Sequence, residues 1–157
     1  MSSDPYLPPG APLDDRDDGK RRSTLWAVFL GVVTDIGGTI VAGIVLMLLL
    51  PAVGVPVPGT EPSAPPAPGE GFLWLSLLVG LCFTALGGYV SARVANNREY
   101  YHALLVGVAS LLIGELMIAF GNEGYPLAQR LIGDLLVMPA ALVGGHLRRK
   151  QKTQGRA

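Results

Sequence analysis

The sequence predicts an all-α polytopic membrane protein, an antiparallel bundle of four transmembrane helices near residues 25–50, 71–94, 102–121 and 126–147. Three observations point there. The 157-residue chain is 50% hydrophobic and only 15% charged, against about 25% charged residues in soluble domains. Its charges crowd the two termini and one short middle segment. Each apolar stretch between them reaches roughly 20 residues, enough at about 1.5 Å per residue to cross a hydrocarbon core of about 30 Å. A buried helix in a small soluble protein would carry a polar face; these stretches carry almost none.

Residues 1–22, MSSDPYLPPGAPLDDRDDGKRR, are rich in Pro, Gly and Asp and poor in apolar groups. Such a segment buries too little surface to offset its ordering entropy, so a disordered cytoplasmic tail is expected. Residues 23–147 form the transmembrane domain. Its first span holds Trp26 at an interfacial depth that suits the indole ring. This apolar run is longer than the 7–15 residues of a signal-peptide core, so it is expected to be a retained anchor. The segment 51–70, PAVGVPVPGTEPSAPPAPGE, has the proline density of a semi-extended external loop. Span two carries Trp74 near its outer end and the lone Cys82 in its middle, expected to be an inert core thiol. The links ANNREYYH and NEGY are short, which makes spans three and four antiparallel neighbours. Pro139 is expected to kink or locally unwind span four. Residues 148–157 are expected to form an unstructured basic cytoplasmic tail.

Orientation follows from the 12 Lys and Arg residues. Arg16, Lys20, Arg21 and Arg22 precede span one, Arg93 and Arg98 lie at the link after span two, and Arg148, Arg149, Lys150, Lys152 and Arg156 follow span four. The loops after spans one and three have none. Positive residues flanking spans stay cytoplasmic, so both termini are expected inside, with the protein in a bacterial cytoplasmic (inner) membrane. The formal net charge is zero. The implied partner is the lipid bilayer, with no nucleic acid, and with a homo-oligomer or larger membrane complex open.

In lipid, helices associate through small residues that let backbones approach. Span two repeats Gly80, Thr84, Gly88 and Ala92 at four-residue spacing, with Gly87 beside them. Span one offers Ala27, Gly31, Gly38 and Ala42, span three Ala103, Gly107, Ser110 and Gly114, and span four Ala140, Ala141, Gly144 and Gly145. Gly80, Gly87, Gly88, Gly107 and Gly114 are therefore the candidate packing residues, within the bundle or between copies.

Asp35, Glu115, Arg130 and Asp134 form the candidate polar cluster. A charged side chain at a membrane-helix centre costs about 2.5–3.5 kcal/mol on insertion scales. Such groups are therefore paired, protonated or hydrated. Counted along the helices, Arg130 lies roughly 6 Å, Glu115 roughly 9 Å and Asp134 roughly 12 Å from the outer end. Arg130 is expected to pair with Asp134 at i, i+4 and with Glu115 across the hairpin, while Gln129 hydrogen-bonds nearby. Asp35 shares the small-residue face of span one, so it faces protein.

His102 and His146, both at the inner interface without acidic or thiol partners, make no metal site. The chain has no G-x-S-x-G, H-E-x-x-H, phosphate loop or CxxC. Neither cofactor nor catalytic residue is expected.

The segment LGGYVSARVANNREYYHALLVGVASLLIG, residues 86–114, resembles a pattern in small uncharacterised bacterial four-span membrane proteins. There a Gly-Gly-Tyr helix end precedes a small-residue/Arg segment and a His-Ala-led helix; Gly87, Gly88, Tyr89, Ala92, Arg93, His102 and Ala103 match. The resemblance implies a prokaryotic plasma-membrane location and a domain of unknown function, with no assigned activity. From the residues themselves, a non-enzymatic structural, accessory or self-associating membrane component is the leading expectation. The alternative is a small proton- or cation-linked transporter or channel component that uses the buried carboxylates.

Overall fold

The computed structural model describes residues 24–50, 52, 70–120 and 126–155. The expected tail at 1–22, nearly all of the loop 51–70 and the NEGY link lie outside the described residues. Within them are α1 (Thr24–Leu49), α2 (Glu70–Ala95), α3 (Glu99–Ala119) and α4 (Leu127–Gln154), and no strand. All four helices are long and apolar enough to cross a membrane. A helix pairs its backbone N–H and C=O groups within one segment, the condition a bilayer core imposes.

Helix ends are set by local chemistry. Between α2 and α3 the chain turns in three residues, with Asn96 at φ 53° and Arg98 at φ 43°. Asn tolerates this left-handed region better than most residues. Pro126, whose missing N–H costs nothing before a helix, sits at the N-cap of α4. The helix then runs on through Pro139 without a break.

The tail expected to be unstructured from residue 148 is instead helical to Gln154. Its extra turns are held from the side. Lys152 Nζ donates to Glu99 Oε1 at 3.0 Å and to the Asn96 carbonyl at 2.8 Å, and Tyr89 donates to Gln151 Oε1 at 2.8 Å. Tyr100 and His146 join hydroxyl to Nδ1 at 2.8 Å, and the Arg149 guanidinium lies 5.4 Å from the Tyr100 ring centre.

Contacts fix the directions of the helices. Gly31 meets Gly87 and Asp35 meets Thr84, so α1 and α2 are antiparallel. Ala103 meets Gly145 and Glu115 meets Arg130, so α3 and α4 are antiparallel. Helices α2 and α3 each touch all the others, whereas no Cα of α1 lies within 8 Å of one of α4.

The half of the bundle nearest Thr24 and Gln154 is close-packed. Added Cβ atoms would strike facing backbone at four of its glycines: Gly31 against the Gly87 carbonyl at 2.8 Å, Gly87 against the Gly31 carbonyl at 2.6 Å, Gly88 against Ala141 and Gly144 against Ala85. Gly107 sits against Met138 and Ala141. Ala27, Ala92, Ala103, Val106 and Ala141 are completely buried in this half. Large apolar side chains such as Leu48, Leu78, Leu112 and Leu135 point outward instead, as a lipid-facing surface requires. Cys82 is also exposed, which corrects the expected core thiol: α2 is apolar all round, and its sequence does not mark which face turns in.

Gly80 and Gly114 do not pack within the bundle, contrary to that half of the expectation. A Cβ at either would meet nothing within 4 Å. Gly88→Ala or Gly144→Ala, each driving a methyl into facing backbone, is expected to cost about 1–3 kcal/mol by overpacking, read as a lower Tm in mild detergent. Gly80→Ala and Gly114→Ala are expected to hold Tm or raise it slightly, since alanine is the better helix former.

Candidate functional site: a cavity with an acidic floor and a charged rim

Beyond the glycine contacts the helices part around a cavity of about 580 Å³. It is lined by the second half of α1 from Asp35, the first half of α2 to Thr84, the end of α3 from Ser110 and the start of α4 to Val137. Gly80 and Gly114 belong to this wall. The other lining side chains are mostly aliphatic.

Asp35 forms the floor. It lies roughly 16 Å along α1 from Thr24, near mid-helix, and is 4% exposed. Its carboxyl joins three helices. Thr84 of α2 donates to Oδ1 at 3.0 Å, and Ser110 of α3 donates to Oδ2. Thr84 Oγ1 also lies 3.1 Å from the Gly80 carbonyl. A hydroxyl has one proton to give and two lone pairs to accept with. An ionised Asp35 takes the Thr84 proton. A protonated Asp35 donates to Thr84 in return, and the threonine proton turns to the Gly80 carbonyl. The floor is therefore hydrogen-bonded in either state, and neither state strands a buried polar group, which would cost about 1–3 kcal/mol.

At the rim, Arg130 of α4 grips Glu115 of α3 with two donors, Nε to Oε1 at 3.1 Å and Nη2 to Oε2. This fork is the geometry that guanidinium and carboxylate share. Asp134, one turn further along α4, lies near the pair. The expected Arg130–Asp134 ion pair is absent: among the described residues the Arg130 partner within 4.0 Å is Glu115. The guanidinium reaches across the hairpin rather than down its own helix. Gln129, 7% exposed, does not join this cluster. Its amide donates to the Leu73 carbonyl at 2.6 Å and ties α4 to the start of α2.

The four ionisable residues thus form two groups rather than one. Arg130 and Asp134 line the cavity nearer the start of α4, with Glu115 bound beside them; Asp35, nearer mid-helix, has hydroxyl partners and no cation among the described residues. Thr84 and Ser110 are the site residues that sequence reasoning missed as ligands. Both stood in the small-residue rows, where they were expected to pack. His102 and His146 stay apart from the site. His102 is buried with Nδ1 3.2 Å from the Arg98 carbonyl. Among the described residues no group of three or more His, Cys, Asp or Glu could hold a metal. Compared with protein-family models, curated proteins and solved structures, the chain matches none.

The fork makes a prediction about stability in detergent. Glu115→Gln and Arg130→Gln are each expected to lower Tm, and the double variant is expected to melt no lower than the worse single one. A double-mutant cycle checks it; strictly additive losses would mean that the two side chains do not interact.

Proposed function

We propose that the chain is a small proton- or cation-linked membrane carrier, or the membrane-embedded solute-binding subunit of one, and that Asp35 carries the exchange. The observation behind this reading is the placement of a buried carboxyl, satisfied whether charged or neutral, at the floor of an open cavity. A purely structural or accessory bundle gains nothing from a cavity in half its height; close packing like that around Gly88 and Gly144 would serve it better. Ionisable groups within spans mark ion or proton paths more often than packing.

In this reading Asp35 holds a proton or a cation near the bilayer midplane. The charged groups that share its cavity are Arg130 and Asp134 of α4, with Glu115 of α3 bound to Arg130. Helix α2 faces Asp35 with Thr84, which does not titrate. Arg130 is committed to Glu115, so the cavity keeps a net acidic character suited to cations. In this reading both termini lie on the cytoplasmic side of a bacterial inner membrane, as the Lys and Arg distribution favours, and the cavity lies in the outer half of the bundle.

Two measurements on cells and purified protein test the proposal. Thr39→Cys, Ser76→Cys and Val137→Cys, each in a Cys82→Ala background, are expected to react with a membrane-impermeant maleimide added outside intact cells. A carbodiimide, which attacks protonated carboxyls, is expected to label Asp35 faster as pH falls and to leave Asp35→Asn unlabelled there. Cavity thiols that stay inert, together with an unreactive Asp35 at every pH, would remove the carrier reading.

A further inference from the structure

We infer that the cavity takes a monovalent organic cation with an apolar body, held by Asp35 at the floor; this rests on the carrier reading above and names its ligand class.

Three properties of the cavity select that chemistry. The first is its wall. Ile36, Ile40, Leu46, Phe72, Leu77 and Val137 make most of it apolar; beyond the groups already paired, Thr39, Ser76 and Asp134 are its remaining polar side chains. A sugar or zwitterion would leave most of its groups unpaired. A small inorganic ion stripped of water there would lose hydration worth several kcal/mol per ion. An organic cation with its charge spread beneath hydrocarbon is poorly hydrated to begin with, and it gains from burial of its apolar surface.

The second property is the charge arrangement. One carboxyl lies at the floor, joined to Thr84 and Ser110 and, among the described residues, to no Lys, Arg or His. Coulomb attraction strengthens as the dielectric falls, so a single positive centre seated against Asp35 is favoured, and an anion of equal size is repelled. Arg130, the guanidinium that lines the cavity, is paired with Glu115 and does not compete for Asp35.

The third property is size. About 580 Å³ falls within the roughly 300–1,000 Å³ of small-molecule pockets. Met47 and Met117 line it, and flexible thioethers fit varied shapes. All four helices contribute to the wall, so a bound cation has apolar side chains around its body.

The test compares two ions of the same shape and opposite charge, tetraphenylphosphonium and tetraphenylborate, on the full-length protein in nanodiscs. Saturable phosphonium binding is expected, with affinity at least tenfold above that for the borate. Asp35→Asn is expected to weaken phosphonium binding by tenfold or more, and Asp35→Glu to restore most of it. Gly80→Leu keeps the charge and fills the cavity where a Cβ meets nothing, so it guards against a folding artefact; it too is expected to abolish binding while Tm holds. Equal affinity for the two ions, or wild-type phosphonium binding in Asp35→Asn, would overturn the ligand class. Wild-type binding in Gly80→Leu would place the ligand elsewhere and overturn the site. If phosphonium fails to bind while carbodiimide labelling and cavity thiol reactivity persist, the ligand class falls and the carrier reading stands. If all three fail, both fall.

Discussion

A carboxyl near the middle of an apolar helix cannot be left to lipid, and that requirement organises this bundle. Asp35 has to turn inward, which fixes the rotation of α1. It has to find donors at its own depth, and the hydroxyls of Thr84 and Ser110 supply them, which fixes α2 and α3 against α1. Threonine and serine suit the task because they serve an acid in either protonation state. A lysine or arginine partner would have locked Asp35 in the charged form and left a structural ion pair. The interaction that sets the helix register therefore also leaves the carboxyl able to exchange a proton.

Around that hub the bundle divides into two halves with different physics. Toward the termini, Gly31, Gly87, Gly88, Gly144 and small partners such as Ala141 bring backbones into contact. In lipid, where apolar side chains gain little by leaving one hydrocarbon for another, such contact is what binds helices together. Toward the other end the helices stand apart around the cavity, and the Arg130–Glu115 fork and the Gln129–Leu73 hydrogen bond hold α4 to α3 and α2. The close-packed half is the seat on which the cavity rests.

Much of this was legible in the sequence, for physical reasons that can be named. Long apolar stretches reveal their spans because bilayer thickness dictates length. Equal depth on antiparallel neighbours was enough to join Glu115 to Arg130, and the periodicity of Gly31, Gly38 and Ala42 was enough to turn Asp35 inward. The cavity was not legible, because it depends on how far helices separate, which no single stretch encodes. Gly80 and Gly114 stand in the same small-residue rows as Gly88 and Gly107, yet they line empty space. Thr84 and Ser110 looked like packing residues until Asp35 was seen between them. The helical turns beyond Leu147 depend on Lys152 meeting Glu99, a pairing across 53 positions that local propensity does not register. The sequence likewise allowed Asp134 as a partner for Arg130, and only the three-dimensional reach of the guanidinium decided for Glu115.

The placement of Asp35 against α2 is the claim on which the hub, the cavity and the proposed chemistry all rest. Disulfide formation tests it most directly, in a Cys82→Ala background with a protease site inserted between α1 and α2. Asp35→Cys combined with Thr84→Cys is expected to oxidise to an intrachain disulfide that keeps the two cleaved fragments together. Gly37→Cys combined with Thr84→Cys is expected to let them separate, since a Cβ at Gly37 meets nothing within 4 Å. The reverse pattern, a bridge from position 37 and none from position 35, would mean that Asp35 faces away from α2, and would contradict the bundle described above.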